Sequence, residues 1–130
     1  MFTLTGPGSP SVLTNMPTAI QQHVDFVTDC IKHCENNAIA RMEPQKDATQ
    51  IWGSHVRDAA NATLLPTVEH SWYLGANIPG KPRVFMPYAG GMVRYRQICN
   101  EISSAGFSGF QFDKSTPPTP FTPLSDAWNI

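Results

Sequence analysis

Apolar side chains recur along much of this chain at helical spacing. Ile20, Val24, Val27, Ile31 and Cys34 follow one another at intervals of four and three residues, which is one face of an amphipathic helix. The pattern predicts a helix over residues 17–36. Asn15 is placed to cap it, and Pro17 suits a first turn whose N–H groups lack partners in any case. The Asn36-Asn37 pair stops it, since Asn tolerates the left-handed conformation found at helix ends. A second helix opens at Pro44 with Asp47 in its first turn and Ile51, Trp52, His55, Val56 and Ala59 on one side; Pro66 closes it. These two helices are expected to pack together. A third covers "MVRYRQICNEISSAG", with Val93, Ile98 and Ile102 on one side and Gly106 as its C-cap.

Between the helices the period changes. "FTLT" (residues 2–5) alternates but is too short to stand alone as a strand, "AIARME" reads as a short extended piece, and "FSGFQF" reads as a strand. "VFMPY" is strand-like, with Pro87 confining it to an edge or a bulge. The fold class is therefore α+β: three helices with a few short strands. Residues 113–130 are a Pro/Thr-rich stretch expected to form a mobile tail.

Two segments have turn residues and no period. "GPGSPS" (residues 6–11) is neither a dinucleotide fingerprint nor a P-loop. Its prolines remove N–H groups that a phosphate cradle would use, and no Gly-Lys-Ser/Thr follows. It reads as a rigid turn that anchors a helix start. "HSWYLGANIPGKPR" (residues 70–83) reads as a long loop; loops of that length are usually functional or disordered. Its adjacent Trp72 and Tyr73 can plug the loop onto a core or stack on a planar ligand, and spacing alone leaves both open.

Composition narrows the function classes. A chain of 130 residues suits one domain; it is 41% hydrophobic and only 15% charged, so a partner is expected to cover apolar surface. The formal net charge of -1, with its basic residues scattered, argues against nucleic acid. Three cysteines, Cys30, Cys34 and Cys99, suggest reduced thiols. No run approaches a membrane span and the start is not a secretory signal, so a cytoplasmic setting is expected. Cys30, His33 and Cys34 lack the spacing of a structural zinc site, and no metal is expected. Asp25 and Asp29 lie one helical turn apart and read as a solvated face. Ser54 and His55 are neighbours that point to different helix faces, so nucleophilic catalysis has little support.

Longer motifs carry more than periodicity. "LTGPGSPSVLTNM" (Leu4–Met16), "IQQHVDFVTDCI" (Ile20–Ile31), "SWYLGANIPGKPRVFMPYAGG" (Ser71–Gly91) and "YRQICNEISSAGFSGFQF" (Tyr95–Phe112) resemble, in order and spacing, the C-terminal stretch of flavin-dependent Baeyer–Villiger monooxygenases. These are the cyclohexanone and phenylacetone monooxygenase type, and the likeness spans residues 1–112. The resemblance implies a C-terminal fragment of a flavoprotein fold with two dinucleotide-binding domains. It implies FAD and NADPH as cofactors and a ketone turned into an ester or lactone. Ser11, Val12, Leu13 and Met16 would line the substrate pocket. Asn15 and Met16 would lie near the flavin ring at the helix start, where the helix dipole favours negative charge. The Ser71–Arg83 segment would be a control loop over the nicotinamide cofactor, with Trp72 and Asn77 on that cofactor and Tyr73 and Pro79 shaping the loop.

The family's Gly-x-Gly-x-x-Gly segments, its F-x-G-x-x-x-H-x-x-x-W fingerprint and its catalytic arginine have no counterpart in this sequence. No catalytic residue is assigned, therefore, and the chain alone is expected to bind neither cofactor tightly. Its expected partners are the missing N-terminal flavoprotein portion or a second copy of itself. The alternative is a non-catalytic interaction or small-molecule-binding module derived from that family.

Overall fold

A computed structural model describes residues 1–113; the expected tail from 114 onward lies outside the described residues. The elements run α1 (Met16–Asn36), β1 (Arg41–Pro44), α2 (Lys46–Asn61), α3 (Met92–Ser104) and β2 (Phe110–Asp113), with single 3-10 turns at Ser11–Leu13, Leu65–Thr67 and Trp72–Leu74. The α+β reading holds, as three helices and one two-stranded sheet.

Local chemistry sets the helix ends. The Asn15 side chain accepts the Thr18 N–H at 3.2 Å, and Pro17 sits in the first turn. At the other end Asn37 donates through Nδ2 to the His33 carbonyl at 2.8 Å, and Ala38 takes a left-handed φ of 51°. α3 ends at Ser104 with Ala105 as its cap; Gly106, just beyond, supplies the positive φ of 68°. β1 and β2 pair antiparallel, Met42 opposite Phe112 and Arg41 opposite Asp113. In β2 Phe110 and Phe112 are half-buried while Gln111 and Asp113 are exposed, which is strand alternation. "FTLT" and "VFMPY" form no strand.

The interior is divided into small patches. Ala60 of α2, Leu74 and Phe85 form one, with Leu65, Tyr73 and Ala89 against it. Trp52, His55, Tyr88 and Tyr95 form an aromatic group with ring centroids 5.3–6.1 Å apart. Phe26, His33, Phe107 and Phe112 form a third.

The helix faces differ from those expected. α1 packs on α3 rather than pairing with α2. It does so with Ala19, Gln22, His23 and Cys30, all buried, while Ile20, Val24 and Ile31 are exposed. Arg96 of α3 donates through Nε to Gln22 Oε1 at 2.9 Å across this contact. On α2 Val56 and Ala60 are buried but Ile51 is 70% exposed, and on α3 Val93 is 76% exposed while Cys99 is buried. Periodicity locates an apolar face; it does not say whether this chain supplies the surface that covers it.

Candidate functional site

The opening turn is held from beneath by backbone bonds. Gly8 N–H donates to Met86 O at 2.8 Å, Tyr88 N–H donates to Ser9 O at 2.8 Å, and Ser9 Oγ donates to Gly6 O at 2.7 Å. Pro10 is fully buried. Gly8, at φ +81°, lies so close to Trp52 that a Cβ would meet the indole Nε1 at 2.9 Å. Tyr88 folds back over Gly90, where a Cβ would collide with the phenol ring. From this base the Ser11–Leu13 turn projects, with Ser11 at φ 45°. A left-handed non-glycine residue costs about 1–3 kcal/mol and persists only where its surroundings impose it. Ser11 and Met16 are half-buried, Leu13 is exposed and Asn15 is exposed; Val12 is the middle residue of the turn.

The same bonds answer the question of phosphate. Pro7 and Pro10 have no N–H, the Gly8 N–H is spent on Met86 and the Ser9 N–H on Gly6 O. The Asn15 oxygen caps Thr18, and Pro17 has no N–H. The segment can shape a pocket wall or meet the edge of a planar ring, but it has no cradle for the phosphates of FAD or NADPH.

The second expected segment is anchored differently. Leu74 is the plug, 3% exposed and packed with Ala60 and Phe85. Tyr73 is half-buried, its ring 6.1 Å from that of Phe85. Trp72 stacks on Tyr73 at 3.9 Å and 28°, yet is 63% exposed. The two readings of Trp72–Tyr73 are therefore divided along the chain: Tyr73 and Leu74 fix the loop and Trp72 offers an indole platform. Asn77 and Pro79 are exposed beyond Gly75, which takes a left-handed φ of 71°. Arg83 fastens the far end by donating to Val68 O at 2.7 Å.

One residue joins the two segments, and sequence reading missed it. Met86 accepts from Gly8 N–H at 2.8 Å and donates its own N–H to Tyr73 O at 3.4 Å. The Gly-Gly after Tyr88 hinted at a close approach, but backbone bonds leave no mark of residue type.

Nothing else in the described residues looks nucleophilic or metal-binding. Burial pushes the Cys30 thiol up to about 12, and burial also raises Cys99. Cys34 Sγ lies 3.8 Å from Met42 Sδ, and His33 packs on Phe107 and Phe112. Among the described residues no three His, Cys, Asp or Glu side chains converge as metal ligands, and no helix is long and apolar enough to cross a membrane. Asp25, Asp29, Gln22 and Arg96 line a polar groove of about 290 Å³ between α1 and α3. Tyr88 is buried with its hydroxyl 3.2 Å from His55 Nε2.

His23 is buried too, with Nδ1 accepting the Thr5 N–H at 3.0 Å. That bond requires the neutral tautomer protonated at Nε2, which has no partner within the described residues. Burial lowers the His23 pKa.

Comparison with known proteins places this arrangement. No protein-family profile matches the chain. The acetone monooxygenase (methyl acetate-forming) of Gordonia sp. (strain TY-5) is 36% identical over 111 residues, covering 85% of this chain and 21% of that enzyme. A solved structure of an oxidised steroid monooxygenase bound to NADP matches with a TM-score of 0.78 at 41% identity, over 88% of this chain and 20% of that one. A closed crystal structure of cyclohexanone monooxygenase matches with a TM-score of 0.80 at 35% identity, over 86% and 20%. The chain thus spans about a fifth of the length of the relatives it matches.

Proposed function

We propose that this chain, which belongs to the Baeyer–Villiger monooxygenase family and corresponds to a C-terminal fragment of such an enzyme, supplies one wall of a ketone pocket and the loop that covers a nicotinamide cofactor. FAD and NADPH would be held mainly by polypeptide outside it. The observation that carries this reading is the joint at Met86: a strained, projecting turn and an exposed indole platform hang on the same residue.

The residues fit the ring portions of those cofactors and not their phosphates. FAD, when bound, supplies the oxygen-activating chemistry and NADPH the reducing equivalents. The chain's own contribution is to bind, orient and shield. Ser11, Val12, Leu13 and Met16 shape the apolar wall that selects the ketone. The start of α1, at Asn15 and Met16, faces the flavin edge with the positive end of a helix dipole, which favours negative charge on the reduced ring. The Trp72 indole N–H donates to the nicotinamide cofactor, Asn77 adds a polar contact, and the loop keeps water from a reactive centre.

The test is a joined enzyme in which the chain replaces the matching fifth of the Gordonia acetone monooxygenase. Trp72→Ala there should at least triple the share of NADPH-driven oxygen uptake that yields no ester, a barrier difference of about 0.7 kcal/mol. Unchanged coupling removes the loop assignment. A second reading, a non-catalytic interaction module, is favoured by the exposed aliphatic side chains of α1.

A further inference from the structure

α1 carries two neighbouring stripes with inverted chemistry. The buried seam holds Ala19, Gln22, His23 and Cys30. Beside it Ile20 is 40% exposed, Val24 42% and Ile31 46%, with Val27 half-buried between them. A helix at the surface of a finished globule shows the reverse, its aliphatic row inward and its polar row outward. From Ile20 to Ile31 the row runs about 16 Å along the helix axis. Its outer border is the polar row Gln21, Asp25, Thr28 and Lys32, of which Gln21 and Asp25 are hydrogen-bonded at 2.8 Å. The row is thus an aliphatic strip between a filled seam and a solvated edge. The Thr5–His23 hydrogen bond lays the N-terminal segment against the first half of α1, and that segment adds exposed Phe2 and Leu4.

The relatives indicate what covers the strip. In the cyclohexanone monooxygenase structure this fold recurs with a TM-score of 0.80 as 20% of the chain. The same helix there belongs to a protein about five times larger, whereas this fold by itself leaves the aliphatic row bare. We propose that the Ile20–Val24–Val27–Ile31 strip is a docking face for a flavoprotein body equivalent to the remaining four fifths of those relatives. This rests on the reading given above, but it concerns assembly and not the pocket or the loop. The strip lies beside the seam that holds α3 and uses different side chains, so docking there leaves the Gln22–Arg96 contact and the internal fold intact. A second copy of this chain is the competing occupant.

The experiment mixes the full chain with the FAD-loaded part of the Gordonia acetone monooxygenase from which the matching segment has been removed. Equimolar co-elution is expected. Val24→Asp and Ile31→Asp should each weaken the complex about tenfold or more, equivalent to about 1.4 kcal/mol, with the circular dichroism of the isolated chain unchanged. Trp72→Ala should co-elute like the native chain. Equal binding of native and Asp variants would overturn the proposal, as would a native chain that ignores the flavoprotein part and dimerises through the strip. Should the trimmed flavoprotein not stay folded, the joined enzyme gives the same reading: the Asp variants must lower its melting temperature and its FAD retention. Unaltered melting and retention sink the docking face. A joined enzyme that melts as expected but shows no dependence on Trp72 sinks only the loop assignment.

Discussion

The opening turn and the tryptophan loop solve opposite problems. The Ser11–Leu13 turn sits on a base of backbone bonds, a buried proline and a glycine pressed against Trp52. The Trp72 loop is held by buried Leu74 and half-buried Tyr73 and leaves its indole open to solvent. The first is over-determined enough to hold a strained residue; the second has few buried contacts, the mark of a segment that opens at low cost. In the proposed reading, shape is fixed at the pocket wall and left loose at the cover.

That contrast can be broken at its weak side first. Leu74→Ala removes the plug and should cost about 2–4 kcal/mol, read as a lower denaturant midpoint together with increased proteolysis within residues 70–83. A loop that stays protected would show that Tyr73 suffices as its anchor. On the strong side, Ser11→Gly removes the penalty of φ 45°. It should raise stability by about 1 kcal/mol in the same unfolding measurement, and a loss would mean that the turn is not strained.

The smallest effect is with pH. Burial holds His23 below its ordinary 6.5 in the folded chain, while an unfolded histidine takes its proton near 6.5. The His23 contribution is therefore complete above 6.5 and declines as pH falls below it toward the lower folded value. Protonation at Nδ1 also ends the bond from Thr5. Melting temperatures taken across this window should fall on the acid side, and His23→Gln should flatten that component. An equal slope in both proteins would assign it elsewhere.

Much of this was legible in the sequence. Asn15 and Pro17 marked the start of α1, and the strand read in "FSGFQF" overlaps β2. The prolines of residues 6–11 argued against a phosphate loop, and the structure shows the N–H groups of Gly8 and Ser9 spent as well. The errors share a cause. Ile20, Val24, Ile31, Ile51 and Val93 were placed on the apolar faces of helices, two of which were expected to pack together, yet this chain does not cover them. Trp52, placed on the apolar side of the second helix, packs against Gly8, His55, Tyr88 and Tyr95. Those contacts join Trp52 to residues up to 44 positions away in the chain, and no local pattern encodes them. The roles proposed for Ser11, Val12, Leu13, Asn15, Met16, Trp72 and Asn77 came from whole motifs, because neither a strained φ nor a solvent-facing indole has a period.

Met86 has a mechanical corollary. Its N–H is tied to one segment and its carbonyl to the other, so the two are geared through a single residue. Travel of the Trp72 loop must either drag the Ser11–Leu13 turn with it or snap the 3.4 Å tie, the longer of the two. Swapping the thioether for another side chain leaves that linkage whole; only an exchange that deletes the amide hydrogen, Met86→Pro, would uncouple loop from turn.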